Sequence, residues 1–263
     1  MILIADSGST KTDWVLHDSN SIVARVKTQG INPTLQESDE IYNILKAELS
    51  EKIGSDAPDT IYYYGAGCAY EGANERMRTA LERLFVTRKI EINSDLLAAA
   101  RALCGHDEGI ACILGTGSNS CLFNGKKIVE NTPSLGYVLG DEGSGAYLGR
   151  QLVSDCLKKQ LPASICKKFL AQYNLTIAGI LERVYHEPLP NRYLASFAPF
   201  LAENRKNAEV KALLKHCFTQ FFQRIVFIFF HTIRYQHYRL FYQLAYSIRQ
   251  SLTAMISAAG MSI

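Results

Sequence analysis

The chain has 263 residues, 48% hydrophobic and 20% charged, so it can bury sizeable cores and lacks the composition of a disordered protein. Lysine and arginine number 28 against 25 aspartates and glutamates, and no long basic run indicates a nucleic-acid partner. The seven cysteines form no CxxC pair, and their odd number favours reduced thiols. At about 150 residues per domain, the length predicts two core-forming lobes.

The N-terminus does not have the pattern of an export signal. Met1 is followed by the apolar run 2–5 and then by Asp6, without a basic segment or a long apolar stretch. The most apolar stretch, 225–230, is far shorter than the ~20 residues that a membrane-spanning helix needs. We therefore expect a cytoplasmic protein with no membrane partner.

The first half of the chain predicts alternating strands and helices. A strand over 2–5, a polar loop, and strands at 14–16 and 22–28 form a β-meander, as glycines and turn residues between apolar runs indicate. Apolar periodicity then predicts further elements, namely helices over 39–52, 74–84 and 96–103 and strands at 61–64 and 89–92.

The second half begins like the first. An apolar strand over 110–114, a Gly/Ser/Thr loop, a strand at 121–123, the hairpin signal Asn124-Gly125 and an apolar run near Ile128 repeat the meander. Helices are predicted after Gly149, over 151–159, 165–172, 195–201 and 208–223. We expect duplicated α/β lobes, residues 1–105 and 106–263, with a helical insertion in the second.

The loops that open the two meanders are candidates for phosphate binding. The first contains Asp6, Ser7, Gly8, Ser9, Thr10, Lys11 and Thr12, and the second contains Gly115, Thr116, Gly117, Ser118, Asn119 and Ser120. Small residues let backbone N–H groups approach a phosphate closely, although an ordinary tight hairpin has the same composition. Neither loop has the GxxxxGK[ST] spacing of a Walker A motif.

The paired loops, with Gly136, the run 140–150 and Asn93-Ser94-Asp95, resemble N-acetylglucosamine kinases, and more broadly the BadF/BadG-type ATPases of the actin-like superfamily. The resemblance covers about residues 1–223. It implies two RNase H-like lobes that close over ATP and a sugar in the cleft between them. It also implies an ordered Mg²⁺ and phosphoryl transfer to a hydroxyl of an amino sugar, N-acetylglucosamine being the first candidate.

The resemblance also implies residue roles. Phosphoryl transfer needs a carboxylate to accept the hydroxyl proton, and Asp95 is the candidate, although the start of the following helix is also where an N-cap aspartate would lie. Asp6 would hold Mg²⁺ through water. The phosphate-binding residues would be Ser7–Thr12 and Gly115–Gly117. The sugar-binding residues would be Asn32, Asp95, Ser118, Asn119, Gly136 and Asp141.

Two of these sugar-binding assignments have structural alternatives. Asn32-Pro33 is also typical of a simple turn, and Asp141, which could support the metal or the sugar, could instead be a solvated turn acid. The six histidines and the cysteines show no zinc-ligand spacing.

The C-terminal part, about 224–263, departs from the family pattern. Residues 240–247 take the place of a glycine-rich turn that packs against adenosine, with Tyr242 and Gln243 in place of small residues, which would exclude the adenine. The apolar run 225–230 shows no helical or alternating period. Two alternatives therefore stay open: an ATPase that activates a 2-hydroxyacyl-CoA dehydratase through a cysteine-held iron–sulfur cluster, and a degenerate sugar- and ATP-binding module. The oligomeric state, a homodimer included, is also open.

Overall fold

Alternation of buried and exposed side chains builds the first strand, β1 (Ile2–Ser7): Leu3, Ala5 and Ser7 face a core, and the intervening residues face away. The computed structural model describes residues 1–8, 10–53, 58–87 and 89–229, and the backbone alone of 239–244. The chain divides into two compact units, 1–98 and 99–263. The boundary predicted from the sequence, between 105 and 106, stays a prediction.

The first unit contains a five-stranded mixed sheet. Its strands are β1, β2 (Lys11–His17), β3 (Ile22–Gln29), β4 (Thr60–Gly65) and β5 (Ile90–Ser94), in the order β3-β2-β1-β4-β5. The first three form the predicted antiparallel meander, whereas β1, β4 and β5 run parallel. The carboxyl ends of the three parallel strands therefore lie at one edge of the sheet.

Helices cover the core face of this sheet. They are α1 (Ser38–Leu45), a π-helical turn (Lys46–Ser50), α2 (Glu51–Ile53) and α3 (Glu71–Leu84). Trp14 and Tyr63 are fully buried between sheet and helices, with ring centroids 5.8 Å apart. The first three segments confirm the helix predicted over 39–52, and α3 begins three residues before the predicted start at Asn74.

The second unit repeats the meander and adds a parallel strand. The strands β6 (Glu108–Leu114), β7 (Ser118–Asn124), β8 (Ile128–Thr132) and β9 (Arg239–Leu244) have the order β8-β7-β6-β9, which matches β3-β2-β1-β4 of the first unit. This arrangement confirms the internal repeat.

The position of β9 corrects one interpretation. Residues 240–244 are strand rather than a turn against adenosine, because their backbone pairs in parallel with β6, Tyr242 opposite Cys112 and Gln243 opposite Ile113. Residues 245–247, the rest of the supposed turn, lie outside the described residues.

The rest of the regular secondary structure in the described chain consists of helices. They are α4 (Asp95–Cys104), in which the division between the units falls, then α5 (Gly136–Leu139), α6 (Gly145–Leu157), α7 (Ala163–Gln172), α8 (Ile177–Tyr185), α9 (Pro190–Ala195), α10 (Ala198–Glu203), α11 (Ala208–Phe221) and a π-helical turn (Phe222–Val226). None of the helices in the described ranges is both long enough and apolar enough to cross a membrane.

Three helix predictions were inaccurate. The helix expected from Gln151 begins at Gly145, because Ser144 caps it by accepting the N–H of Tyr147. The helix expected over 195–201 is interrupted between Ala195 and Ala198, where α9 ends and the proline-containing first turn of α10 begins. Neither α5 nor α8 was expected.

The apolar run 225–230 has a helical pattern that its uniform composition hides. Ile225, Val226 and Phe229 are buried, whereas Phe227 and Ile228 are 38% and 41% exposed. With buried Phe222, this gives the i, i+3, i+4, i+7 spacing of a helix face. The run therefore continues the buried side of α11, and the expectation that it has no period was wrong. Phe230 lies outside the described residues.

Two helical glycines provide a stability test. A Cβ on Gly149 in α6 would lie 1.8 Å from the Leu194 carbonyl oxygen, whereas one on Gly72 in α3 would meet nothing within 4 Å. Gly149→Ala should therefore destabilise the protein by about 1–3 kcal/mol through overpacking. Gly72→Ala should stabilise it by up to ~1 kcal/mol because alanine favours helix. Urea unfolding of both variants measures the difference, and equal stability of the two would contradict the close contact of α6 with α9.

Candidate functional site

Two predicted acidic residues lie at the carboxyl ends of parallel strands in the first unit. Asp6 is the penultimate residue of β1, and Asp95 directly follows β5. The register pairs Asp6 with Tyr64 and Tyr64 with Asn93, so both strand ends share one edge of the sheet. Burial, and then the charge of Asp6, raise the pKa of Asp95 above its usual range. The structure therefore brings the predicted base and the predicted metal ligand into one electrostatic environment.

Asp95 is the first residue of α4, but its neighbour caps the helix. The N–H of Leu97 donates to Ser94 Oγ at 3.3 Å, which is the N-cap interaction, while the N–H of Leu96 donates to Asp95 Oδ1 at 2.8 Å. This second bond favours the carboxylate but does not outweigh its burial. The N-cap alternative for Asp95 is therefore wrong. Its role as a general base stays a prediction.

Asp6 lies beside an ion pair on the neighbouring strand. Asp13 is its cross-strand partner, and Lys11 Nζ lies 2.6 Å from Asp13 Oδ2, with Lys27 Nζ 3.7 Å from Oδ1. Partial burial and the charge of Asp13 raise the pKa of Asp6, and Lys11 counteracts them. The Asp6 side chain nevertheless stays exposed. The Lys11 ammonium, which sequence reasoning assigned to a phosphate, is paired with Asp13.

The hydroxyls of Ser7 and Thr12 face the core instead of the surface. Both side chains are fully buried, and their hydroxyl oxygens lie 2.7 Å apart. One hydroxyl donates to the other, and the remaining hydrogen is shared between two carbonyl oxygens within reach: Ile31 O lies 3.3 Å from Ser7 Oγ, and Gln29 O lies 3.2 Å from Thr12 Oγ1. These two hydroxyls fasten the loop that follows β3.

Only part of the first loop lies at the surface. Gly8 and Thr10 occupy the turn, where the Gly8 N–H donates to the Lys11 carbonyl at 2.9 Å. Ser9 lies outside the described residues. The predicted phosphate contacts of Ser7 and Thr12 would therefore have to come from their backbone.

Asn32 forms a turn that packs on the loop after β4, which contains Gly67. Its Oδ1 accepts the N–H of Thr34 at 3.0 Å, and Thr34 Oγ1 donates to the Gly67 carbonyl at 3.0 Å. Gly67 has φ +84°, and a Cβ there would lie 2.1 Å from Asn32 Oδ1. The turn alternative for Asn32 is confirmed, and its role in sugar binding stays a prediction.

In the second unit, the start of α6 fastens the second loop. The N–H groups of Gly145 and Ala146 donate to the carbonyls of Gly115 and Thr116 at 2.8 and 3.0 Å. The Gly115 N–H donates to the Gly117 carbonyl at 2.9 Å. The helix therefore uses two of its free N–H groups on the loop, which holds the loop backbone in one conformation.

Asp141 is a buried carboxylate that contacts this loop. It is 7% exposed, and a Cβ on Gly117 would lie 3.0 Å from both of its carboxylate oxygens. The Ser118 N–H donates to its Oδ1 at 3.1 Å. Burial raises the pKa of Asp141, as does Glu142, while the Ser118 bond and Arg150 oppose the rise. Its main chain has φ +56°, in the left-handed region. The solvated-turn alternative is therefore wrong.

The remaining predicted residues of this unit lie on β7 and α5. Ser118 is buried, and its hydroxyl has no hydrogen-bond partner among the described residues. Asn119 is partly exposed and bonded to Asn131 of β8. Gly136 has φ +73° at the start of α5, which explains the glycine. Asp141, Gly117 and Ser118 are thus in direct contact, whereas no bond links Gly136 to them within the described ranges.

Sequence reasoning missed two features near these groups. Tyr63 was assigned only to a buried strand, yet its hydroxyl is buried beside Ser7; burial raises its pKa, and the Ser7 hydroxyl opposes the rise. Glu142 is also buried, its side chain 5% exposed, and Arg224 Nη1 of the π-helical turn lies 3.1 Å from its Oε1. The separation of 82 positions hides this pair from local motif analysis.

The acidic residues are better suited to a hydrated metal ion than to one coordinated entirely by protein side chains. No group of three or more His, Cys, Asp or Glu residues is gathered around a metal position in the described ranges. Mg²⁺ keeps several waters and needs only one or two carboxylates, which the exposed Asp6 fits. All seven cysteines lie in described positions, and only Cys166 is partly exposed. This burial is unfavourable for a cluster shared between subunits.

Comparison with solved structures shows the fold and the family. The "putative N-acetylglucosamine kinase" of Porphyromonas gingivalis is 43% identical over 100% of this chain and 93% of its own, with a TM-score of 0.93. The "putative N-acetylglucosamine kinase" of Chromobacterium violaceum is 18% identical over 96% and 89%, with a TM-score of 0.73. An ethanolamine utilization protein of Carboxydothermus hydrogenoformans is 12% identical over 99% and 82%, with a TM-score of 0.58.

These likenesses confirm the predicted fold class, the mixed α/β fold of actin-like ATPases and sugar kinases. No protein-family model matches the chain, and no curated protein does.

The raised pKa of Asp95 predicts a pH-dependent stability change. Because the folded state favours its protonated form, the charged carboxylate destabilises the fold at neutral pH. Asp95→Asn should therefore raise the unfolding temperature at pH 7. The gain should shrink as the pH falls and vanish below the unfolded pKa of ~3.9, where both states are protonated.

Asp18→Asn is the matched control with the opposite sign. Hydrogen bonds from the N–H groups of Asn20 and Ser21 lower the pKa of Asp18, so its charge stabilises the fold above the unfolded pKa. The amide should weaken these bonds at pH 7. Thermal unfolding of both variants between pH 3 and 7 checks the assignment, which fails if both shift in the same direction.

Proposed function

This chain belongs to the family of the Porphyromonas gingivalis "putative N-acetylglucosamine kinase", and on that premise we propose that it is an ATP-dependent kinase of a small amino sugar. The observation that carries the proposal is 43% identity along the whole chain. N-acetylglucosamine is the first candidate substrate, the cytoplasm is the expected compartment, and the BadF/BadG-type ATPases are the wider group to which we assign the chain.

Asp95 is the general base of this proposal. It accepts the proton of the attacking sugar hydroxyl while the new oxygen–phosphorus bond forms and the bond between the γ-phosphoryl group and ADP breaks. Burial raises its pKa, which brings a carboxyl group closer to the pH at which a base works well. The Leu96 N–H fixes one carboxylate oxygen, so the other remains available for the substrate.

Asp6 would hold Mg²⁺ through water. When bound with ATP, the ion would neutralise phosphate charge. The exposed carboxylate of Asp6 fits this task, and a cation there would also relieve its repulsion by Asp13 and Asp95. Because the Lys11 ammonium is paired with Asp13, Lys11 would contribute to phosphate binding through the positive electrostatic potential that its charge creates near the loop.

The two Gly/Ser/Thr loops supply backbone groups for the phosphates in this proposal. Both are held in place by bonds on their inner side: the Ser7 and Thr12 hydroxyls in one unit and the start of α6 in the other. The sugar would be bound by Asn32, Ser118, Asn119, Gly136 and Asp141. The buried carboxylate of Asp141 can accept a hydrogen bond from a sugar hydroxyl.

A pair of neighbouring substitutions separates catalysis from helix capping. Asp95→Asn should lower kcat by ~10²-fold or more and leave sugar binding nearly intact, because the amide keeps the shape but cannot accept the proton. Ser94→Ala removes the cap and should cost about 0.5–2 kcal/mol of stability with little change in kcat. Steady-state kinetics and thermal unfolding measure both effects. Similar turnover of Asp95→Asn and wild type at saturating substrates would disprove the base assignment.

The substrate is tested by supplying Mg-ATP with a panel of sugars. N-acetylglucosamine, N-acetylmannosamine, glucosamine and glucose should give different rates of ADP formation, with the acetylated amino sugars preferred. Sugar binding in calorimetry without ADP formation would favour a binding module, and iron in the pure protein would favour the dehydratase activator. Either result would count against the kinase.

A further inference from the structure

Asn119 and Asn131 are joined across the β7–β8 hairpin. Asn131 lies opposite Cys121, so its side chain shares a face of the sheet with Asn119, two residues away along β7. Asn131 Nδ2 donates to Asn119 Oδ1 at 2.9 Å and to the Ser120 carbonyl at 2.7 Å. The Ser120 N–H donates to the same Asn119 Oδ1 at 2.9 Å. The two amides and the backbone N–H and C=O of Ser120 therefore form a closed set of bonds.

Backbone groups determine which way each amide points. A backbone N–H can bond only to an oxygen, so the atom of Asn119 that faces Ser120 N is Oδ1. A backbone carbonyl can bond only to a donor, so the atom of Asn131 that faces the Ser120 carbonyl is Nδ2. Neither orientation depends on an arbitrary choice between oxygen and nitrogen, which is the usual ambiguity of asparagine side chains.

The consequence concerns the other end of the Asn119 amide. Its Oδ1 already accepts two hydrogen bonds, the normal capacity of a carbonyl oxygen. Its Nδ2 donates to no acceptor among the residues that the structure describes, and the side chain is partly exposed. Asn119 therefore offers a ligand a donor and no acceptor.

Asn131 is unusual for its position. Asparagine is depleted in strands, where β-branched and aromatic residues are favoured. The two bonds donated by its amide explain why it is there, since only a side chain with an NH₂ group can satisfy both oxygens at once.

We propose that Asn131 is a positioning residue that locks Asn119 with its amide nitrogen toward the substrate, so that Asn119 donates to an oxygen of the sugar. This rests on the proposed function and deepens it, because it fixes the chemistry of the contact. The recognised atom is an acceptor, either a hydroxyl oxygen or the acetamido carbonyl oxygen.

Variants of Asn131 test whether it fixes the orientation of the Asn119 amide, which we call the lock. Asn131→Ala removes one of the two bonds that hold Asn119 Oδ1 and leaves only the Ser120 N–H, so the amide is held less firmly and KM for the sugar should rise roughly three- to tenfold, as expected for a lost neutral hydrogen bond. Asn131→Asp places an oxygen against Asn119 Oδ1 and the Ser120 carbonyl, and the repulsion should raise KM by about tenfold or more. The KM for ATP and the kcat should change by less than about twofold in both, since the lock concerns sugar affinity alone.

A double substitution shows whether Asn131 acts through Asn119. Asn119→Asp keeps the oxygen that accepts from Asn131 but removes the donor to the sugar. In that background Asn131→Ala should add less than about a twofold change, because the group that it positions is gone. Asn124→Asp is the matched control in the same hairpin: toward the described residues Asn124 uses only its Oδ1, which accepts from the N–H groups of Lys126 and Lys127, so aspartate should replace it without effect on KM.

The outcomes separate this inference from the proposed function. N-acetylglucosamine and glucose, compared in each variant, show which oxygen is recognised: a loss confined to the acetylated sugar indicates the acetamido carbonyl, and an equal loss indicates a hydroxyl. Wild-type turnover with unchanged sugar KM in both Asn131 variants, or multiplicative effects in the double variant, would overturn the lock alone. If Asn131→Asp does not fold, Asn131→Ala decides. A wild type that neither phosphorylates nor binds any sugar would overturn the proposed function and this inference with it.

Discussion

The cost of burying the Asp95 carboxylate at the edge of the first sheet is the constraint on which the first unit's candidate site depends. Asp6 is the penultimate residue of β1, Asp95 directly follows β5, and β4 lies between these two strands. At ~4.8 Å between neighbouring strands, two strand spacings separate the chains by about 10 Å. With the two backbones this far apart, burial outweighs the charge of Asp6 in raising the pKa of Asp95. The sheet order thus sets how strongly the two groups interact, and the same burial that costs stability would suit a general base.

The two units hold their polar loops in place with different hydrogen bonds. Each has to hold a short polar loop between antiparallel strands without losing backbone groups that could face a ligand. In the first unit, Ser7 pairs with Thr12 across β1 and β2, and their hydroxyls bond under the loop. In the second, the equivalent pair is Leu114 and Ser118, which cannot form that bond, and the start of α6 fastens the loop instead. The repeat therefore conserves strand pairing and not side-chain contacts.

The parts that the sequence predicted are those governed by local patterns. Alternating strands, turn glycines and the repeated meander were sufficient to predict the first sheet, the three antiparallel strands of the second and the α/β class, but not β9. The roles of individual side chains were harder to predict from the sequence. Ser7 and Thr12 were assigned to phosphate binding as whole residues, but strand alternation after buried Leu3 and Ala5 already places the Ser7 side chain on the core face. The Glu142–Arg224 pair and the Asn119–Asn131 lock depend on contacts between separate elements, which no local pattern encodes.

The strand at 239–244 changes what the unusual C-terminal sequence means. Exclusion of adenine was expected because Tyr242 and Gln243 seemed to replace small residues in a close turn. Their backbone pairs with β6 instead, in the place that β4 occupies beside β1 in the first unit. Phenylalanine and tyrosine, present here as Phe241 and Tyr242, are favoured in such a strand, where glycine would be unfavourable. The residues that appeared to break the family pattern therefore complete the second repeat, and at positions 242 and 243 the argument against ATP binding no longer has a physical basis.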